Sequence, residues 1–265
     1  MLFRSESNQA VFDRDVAVFT DMSLMPAERA ILRRLAPRIA EIDMLDIGVG
    51  TGRLGWTFAP LVRRYVGLDY SPRMIEAATA RLGGEPGVEL TVGDARDLSP
   101  VEGEFDFVIF SFNGIDAVSP DDRVKVLDQV RSKLRPDGLF QFSAHSLGCL
   151  PFDTHRPLSP RFASSRAYRL YAWANGIRYA RNVRRVNANL DLKAARERGW
   201  DLVHSQAHNF EVRDTYVDPE FQVRQLREHG LEVVAVYDSS GAEVTLPHPS
   251  RDPWFDYLCA PAGAA

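Results

Sequence analysis

The chain has 265 residues, of which 45% are hydrophobic and 26% charged, with a formal net charge of −4, as expected of a protein that buries one large core. Residues 1–6 turn polar too early for a signal peptide, and no apolar run approaches the ~20 residues that span a bilayer. Two distant cysteines, Cys149 and Cys259, argue against a disulfide framework. We therefore expect a single domain over residues 1–265, a cytoplasmic location and no membrane partner.

The first 146 residues show a regular alternation of elements. Two N-terminal helices, at 8–20 and 26–40, make up a segment over 1–40. Strands are predicted at 43–49, 64–70, 88–92, 105–112 and 139–144, with helices at 51–61, 72–82 and 121–134 between them. Strands that alternate with helices predict a doubly wound, mostly parallel α/β sheet.

The alternation stops after residue 147, and an insert over 147–217 follows the fifth strand. Residues 151–200 hold 11 Lys and Arg against 3 Asp and Glu, interleaved with aromatic residues, and most of 151–203 looks helical. A strand is predicted at 209–217, and a helix at 218–229 and strands at 231–237 and 254–259 complete the chain. The basic block could form a lid over a small anionic or aromatic molecule, bind RNA, or be a solvated face or a contact in a homodimer. The negative net charge favours the small molecule over nucleic acid.

A glycine-rich turn over residues 48–52 follows the first strand. Alternate glycines, Gly48, Gly50 and Gly52, allow the backbone to approach a nucleotide closely. Asp46 lies inside the buried strand, where an unpaired carboxylate costs several kcal/mol. It must therefore face either a bound ligand or the amides of the turn.

Two further carboxylates, Asp69 and Asp94, follow the second and third strands. Ligands of open α/β sheets bind at the carboxyl ends of the strands, so these residues and the glycine turn should meet at one edge.

These residues resemble the class I S-adenosylmethionine-dependent methyltransferases. The resemblance covers about residues 40–146 by motif and 218–260 by element order, and it implies a seven-stranded sheet with an antiparallel last strand. It implies that the turn holds the methionine part of the cofactor, with Asp46 orienting the turn and the cofactor's amino group. Asp69 would then bind the ribose hydroxyls.

The resemblance also implies an adenine site. Met74 would pack on the adenine ring, Asp94 would accept a hydrogen bond from its amino group, and the Ala95 amide would donate to the ring. Tyr70 and Ser111, at the ends of the second and fourth strands, complete the predicted cofactor-binding set.

Two other functions remain open. Residues 50–55 also satisfy the G-x-G-x-x-G pattern of NAD-dependent oxidoreductases. Asp46, the helical residues before the first strand and the Gly93-Asp94 pair all count against that interpretation. A non-catalytic cofactor-binding protein is not excluded.

The acceptor site is expected beyond the fourth and fifth strands. His145, at the end of the fifth strand, is the candidate general base for O- or N-methylation of a small molecule. Asn113, Tyr168, His208 and Tyr216 are the candidate substrate-binding residues. The run 111–116 lacks the proline pair of DNA amino-methylating families, and Asp116 has no acidic partner nearby in sequence, so we predict no metal.

Overall fold

The computed structural model describes residues 5–14, 16, 23–150, 185–204, 211–248 and 252–263. The helices are α1 (Ser5–Arg14), α2 (Pro26–Leu35), α3 (Arg53–Phe58), α4 (Pro72–Leu82), α5 (Pro120–Lys133), α6 (Leu192–Arg198) and α7 (Pro219–Glu228). The strands are β1 (Asp43–Ile47), β2 (Arg64–Asp69), β3 (Val88–Val92), β4 (Phe105–Phe110), β5 (Leu134–His145), β6 (Trp200–His204), β7 (Arg213–Val217), β8 (Leu231–Tyr237), β9 (Glu243–Val244) and β10 (Trp254–Pro261). Short 3-10 helices occur at Ala36–Glu41, Gly114–Ala117 and Leu147–Cys149. None of the helices in these ranges is long and apolar enough to cross a membrane.

The main sheet has the order β3-β2-β1-β4-β5-β10-β8-β9. β1 to β5 pair in parallel, whereas β10 runs antiparallel between β5 and β8. The predicted fold class is therefore confirmed, with one correction to the strand count. The sheet has eight strands rather than seven, because the two-residue strand β9 pairs antiparallel with the edge of β8.

Both faces of the central strands are covered, as the apolar sequence of β1 predicts. Leu45 and Ile47 belong to one apolar cluster, together with β4, β5 and α5. Met44 faces the opposite cluster, which contains residues of α2, α3 and α4. Every residue of β1 is buried, so Asp46 needs partners inside the protein or in a ligand.

Several predicted boundaries shift for local physical reasons. α2 ends at Leu35 and continues as a 3-10 helix, because Pro37 has no amide hydrogen and would clash with the preceding turn of an α-helix. α3 starts at Arg53, since Gly52 has a left-handed conformation with φ 87°. β5 begins at Leu134 rather than 139, and its register with β4 shifts between Phe105 and Phe107.

The described part of the insert contains a second, two-stranded sheet. β6 and β7 pair antiparallel, so residues 200–204 form a strand where a helix was predicted. α6 lies just before β6; Asp191 caps its first turn and the left-handed Gly199 ends it. Val217 of β7 forms a bridge with Ser146 after β5, which places this small sheet beside the carboxyl end of the main one.

Candidate functional site

A cavity of about 510 Å³ lies at the carboxyl ends of the central strands. The predicted site residues that line it are Asp46, Gly48, Gly50, Asp69, Tyr70, Met74, Asp94, Ala95, Ser111, Asn113 and His145. Gly52 instead caps the start of α3 at the base of the turn, and Tyr216 stacks on His145 behind the wall of the cavity. The predicted Tyr168 and His208 lie outside the described residues.

The glycine turn is tied to Asp69 through backbone amides. Gly48, Gly50 and Gly52 have φ angles of 68°, 55° and 87°, a left-handed region that favours glycine. The Gly50 amide donates to Asp69 Oδ2 at 2.9 Å, and the Ser71 amide donates to Oδ1 at 2.9 Å. Burial raises the pKa of Asp69 and the two amides oppose that shift. Each oxygen retains a second lone pair for a diol.

Asp46 is buried beside the turn and only half satisfied. Its Oδ2 accepts a hydrogen bond from the Tyr65 hydroxyl at 2.5 Å, but its Oδ1 is buried without a hydrogen-bond partner. Burial raises the pKa of Asp46 to about 7, against the opposing effects of Tyr65 and the nearby Arg53. Without a ligand, then, this carboxyl group is close to half protonated at neutral pH.

Sequence reasoning missed a buried ion pair beside Asp46. Arg53, the first residue of α3, makes two hydrogen bonds to Glu28 of α2, at 2.7 and 2.6 Å, and the Glu28 side chain is fully buried. The Ser111 hydroxyl also donates to Glu28, while Arg53 donates to Ser111 at 3.2 Å. Helix α2 therefore supports the site wall, because Glu28 holds the lining residues Arg53 and Ser111, and only the position of Glu28 in the first turn of α2 hints at this in the sequence.

Asp94 is engaged by a neighbouring arginine. The Arg96 guanidinium donates to Asp94 Oδ2 at 2.6 Å, and the Arg96 amide donates to Oδ1 at 2.9 Å. Burial raises the pKa of Asp94, but these hydrogen bonds outweigh it and the net pKa lies below its usual range. The carboxylate is thus ionised at the cavity wall.

The far side of the cavity is built around Asn113 and His145. Asp116 accepts hydrogen bonds from the backbone amide of His145 at 2.6 Å and from its ring Nδ1 at 2.9 Å. Asp116 is also paired with the buried Arg123, and the His145 ring stacks on Tyr216 with centroids 4.6 Å apart. Within the described residues no group of three metal-ligating side chains occurs, and Asp116 serves this network.

The sequence analysis also missed a carboxyl group on β10. Asp256 is buried, lines the cavity beside Ser143 and Trp254, and accepts a hydrogen bond from Gln141 at 2.6 Å. Burial raises the pKa of Asp256 well above its usual value. The available signal was the one that revealed Asp46, namely an acidic residue inside a buried apolar strand.

The charge of the lining suits a cationic cofactor. Its described carboxyl groups are Asp46, Asp69, Asp94, Asp214 and Asp256, and its guanidinium groups are Arg53 and Arg96. Both arginines are paired with carboxylates, so acidic groups are in excess. S-adenosylmethionine carries a sulfonium and an ammonium, and the unpartnered Asp46 Oδ1 is an acceptor suited to the latter. The residues present fit this cofactor.

Comparison with known sequences agrees with the geometry. Residues 44–138 match the family model for a methyltransferase domain. A ubiquinone/menaquinone biosynthesis C-methyltransferase, UbiE, of Caulobacter vibrioides is 32% identical over 155 residues, covering 54% of this chain and 55% of the relative. An uncharacterised methyltransferase of Bacillus subtilis, YcgJ, is 26% identical over 143 residues, or 52% and 55% of the two chains. The chain thus spans about half the length of the curated relatives it matches.

Solved structures resemble the whole fold. An S-adenosylmethionine-dependent methyltransferase from Clostridium acetobutylicum superposes with a TM-score of 0.60 at 15% identity, covering 97% of this chain and 99% of the other. The complex of DhpI with S-adenosylhomocysteine gives 0.58 at 19% identity, with coverage of 98% and 97%. The fold resembles that of these solved methyltransferases, and residues 44–138 resemble a methyltransferase domain.

Proposed function

We propose that this protein transfers the methyl group of S-adenosylmethionine to a small-molecule acceptor. The observation that carries the proposal is one cavity that runs from the glycine turn and Asp69 to Asn113, His145 and Asp256. One end has the carboxylates for the cofactor, and the other has polar side chains that the cofactor motifs do not use. An in-line displacement needs both ends in one site that excludes water.

The cofactor end binds through groups that the fold has already oriented. Asp69 is fixed by the amides of Gly50 and Ser71, so its remaining lone pairs are directed without further ordering. In this proposal they accept the two ribose hydroxyls, while Asp46 Oδ1 accepts from the ammonium group. When bound, the cofactor supplies an electrophilic methyl group. The protein contributes alignment and a dry surface formed partly by Met74, which is buried.

The acceptor end includes the predicted base. Asp116 holds the His145 ring by Nδ1, and proton transfer to Nε2 would be the base role predicted from sequence. That role remains a prediction. If it is correct, His145→Ala lowers the turnover number and leaves cofactor affinity unchanged.

Relatives and structural neighbours support small-molecule chemistry in general rather than a particular acceptor. They include a ubiquinone/menaquinone biosynthesis C-methyltransferase and a glycopeptide N-methyltransferase, MtfA. The methylated atom in the present protein, its cytoplasmic location and a homodimeric state therefore stay proposals. Light scattering of the purified protein tests the last of these.

Isothermal titration calorimetry with S-adenosylhomocysteine tests the cofactor assignment. We expect binding that Asp69→Ala weakens by about 100-fold or more, since two charge-assisted hydrogen bonds are worth roughly 3–6 kcal/mol. Asp97→Ala is the matched control, because Asp97 also accepts from a backbone amide in a turn but does not line the cavity. Equal affinity in Asp69→Ala and wild type contradicts the assignment.

Two ligands test the alternatives. Tight binding of NADH, with none of S-adenosylhomocysteine, would favour the oxidoreductase interpretation. Strong RNA binding that falls steeply with salt would favour an RNA methyltransferase, with the basic block as its phosphate-binding surface.

A further inference from the structure

The loop after β4 has an unusual backbone at the cavity wall. Phe112 and Asn113 have φ angles of 55° and 58°, both in the left-handed region. Asn tolerates this region, whereas a bulky residue such as Phe rarely adopts it. The next residue, Gly114, is in close contact with Phe110, since a Cβ there would lie 2.2 Å from the ring. Such strained backbone persists where the surroundings hold it, and it concentrates at functional sites.

A chain of side chains fixes the His145 ring next to this loop. Arg123, which is buried, pairs with Asp116 and also donates to Gln222 of α7 at 2.5 Å. Asp116 then accepts from His145 Nδ1 at 2.9 Å. A carboxylate paired with a guanidinium accepts only, so Nδ1 carries the proton and Nε2 of the neutral ring is an acceptor.

The tautomer of His145 decides the orientation of Asn113. The Asn113 Nδ2 lies 3.2 Å from His145 Nε2, and only the amide NH₂ can donate to an unprotonated ring nitrogen. The carbonyl oxygen of the amide must therefore point away from the ring. The Asn113 backbone is held as well, since its amide donates to Ser143 Oγ at 2.7 Å.

The Asn113 carbonyl oxygen so oriented is left without a partner. Asn113 Oδ1 is buried and makes no hydrogen bond, although Asn113 lines the cavity. An unsatisfied buried acceptor costs about 1–3 kcal/mol. The loop is strained, and the network of His145, Asp116, Arg123 and Gln222 holds it in place. An unsatisfied acceptor in such a loop indicates that a donor from a ligand completes the site.

We propose that Asn113 Oδ1 accepts a hydrogen bond from the methyl acceptor, which therefore carries an N–H or O–H group. In this arrangement His145 is a positioning residue rather than the general base predicted from sequence, because its Nε2 already accepts from the Asn113 amide, and Asp116 and Arg123 hold His145. The inference rests on the proposed function, because it assigns the acceptor end of the same cavity. A substrate that only accepts hydrogen bonds leaves Asn113 Oδ1 buried and unpaired, and the site discriminates against it.

Aniline, phenol and toluene test the donor requirement because they share a ring and differ in one group. ¹⁵N-labelled protein is first saturated with S-adenosylhomocysteine; failure at this step counts against the proposed function and not against the inference. The side-chain NH₂ signals of Asn113 are identified by their loss in Asn113→Ala. We expect aniline, phenol or both to shift these signals, and toluene to leave them in place. No shift with either donor, or an equal shift with toluene, overturns the proposal. If both donors shift the Asn113 signals, the one with the larger shift indicates whether the site prefers an amine or a hydroxyl group.

Substitutions at His145 test its positioning role. A glutamine can still accept from the Asn113 amide, so His145→Gln should keep the Asn113 signals near their wild-type position, whereas His145→Ala should displace them. His229→Gln is the matched control, since His229 makes the same contact with Asp128, at 2.6 Å, outside the cavity. Identical displacement in His145→Gln and His145→Ala contradicts the positioning role.

Kinetics with any amine or phenol that is methylated give an independent measure. We expect Asn113→Ala to lower kcat/KM for the acceptor about tenfold or more, as for a lost hydrogen bond of ~1.4 kcal/mol. S-adenosylhomocysteine affinity should stay within about twofold. Unchanged kcat/KM in Asn113→Ala, or methylation confined to acceptors without N–H or O–H groups, overturns the proposal.

Discussion

The two ends of the cavity are built in different ways. At the cofactor end, Asp69 is held by backbone amides within about 20 residues of it in sequence. At the acceptor end, His145 is held by Asp116, which is 29 residues away, and Arg123 of the same network contacts Gln222, which is 99 residues from Arg123. The first end depends on local turn geometry and the second on side chains brought together by the tertiary fold.

The difference has a consequence for tolerance to change. Backbone amides are present whatever the side chain, so the cofactor end depends on a few carboxylates and glycines. At the acceptor end, Asn113, His145, Asp116, Arg123 and Gln222 form one network of hydrogen bonds, here called the acceptor network. Each member provides the hydrogen-bond partner of the next, so removing one leaves a buried group unpaired. We therefore expect substitutions at the cofactor end to change ligand affinity, and substitutions deep in the acceptor network to change stability as well.

Removal of Asp116 should have the largest effect on stability. Arg123 and Asp116 are almost completely inaccessible to solvent, so Asp116→Ala leaves a buried guanidinium without its counter-ion. Breaking a buried pair from one side costs about 3–5 kcal/mol, measurable as the free energy of unfolding in urea. Glu197→Ala, which removes an exposed pair with Lys193, should cost less than ~0.5 kcal/mol. Similar losses of stability in the two variants would mean that the buried Asp116–Arg123 pair contributes no more than an exposed ion pair.

Asp46→Asn should separate stability from cofactor binding. The pKa of Asp46 in the folded protein is about 7, above its usual 3.8, so the carboxyl group favours folding at low pH and this contribution is lost as pH rises through 7. At one pKa unit per ~1.4 kcal/mol, the unliganded Asn variant should be more stable than wild type at pH 8 by up to about 4 kcal/mol, with the difference vanishing near pH 4. Its affinity for S-adenosylhomocysteine should fall about tenfold or more, since an amide oxygen accepts from an ammonium group but carries no negative charge to strengthen the hydrogen bond. Urea unfolding from pH 4 to 8 and calorimetry measure the two effects.

Asp43 provides the control on the same strand. Hydrogen bonds from Arg63 lower the pKa of Asp43 to about 2, with help from Arg135 and against burial. Its contribution to stability is therefore present above pH 3.8 and lost as pH falls toward 2. Asp43→Asn should lower stability at pH 8, where Asp46→Asn raises it, and should leave cofactor affinity unchanged because Asp43 is not part of the cavity lining. If both variants changed the stability at pH 8 in the same direction, the result would contradict the assignment of Asp46 as a carboxyl group that is retained for ligand binding.

The same contrast explains what the sequence could predict. The parallel sheet and the cofactor residues follow from local patterns, namely apolar strands that end in Asp46, Asp69 or Asp94 with glycines at fixed spacing. Gly52 was assigned to the cofactor turn by its place in the motif, and its left-handed backbone precedes the first residue of α3. Its role toward the cofactor stays a prediction.

The acceptor end was less accessible for a physical reason. Arg123 and Asp256 act through partners far away in sequence, and no spacing rule connects them. The stretch 151–203 was predicted to be mostly helical although it shows no clean apolar stripe, but the pairing of residues 200–204 with β7 overrides that local preference. His145 and Asn113 were found individually, whereas the hydrogen bond that joins them required the fold.

Among the carboxyl groups that line the cavity, Asp256 should have the smallest effect on cofactor affinity when it is replaced by Asn, which sharpens the contrast with Asp46. Burial raises the pKa of Asp256 well above its usual value, so in the folded protein the carboxyl group is retained in its neutral form as pH rises above 3.8. An amide of the same shape replaces that neutral form, and stability near pH 4 should change by less than about 1 kcal/mol. As pH rises above 3.8, the carboxyl group ionises in the unfolded wild type but stays neutral in the folded protein, so the wild type loses stability and the variant does not. The difference in stability between the two should therefore grow toward alkaline pH. Affinity for S-adenosylhomocysteine should stay within about twofold of wild type, because Asp256 lies with Ser143 and Trp254 at the acceptor end. A large loss of cofactor affinity in this variant would place β10 at the cofactor end and remove the division between the two halves of the cavity.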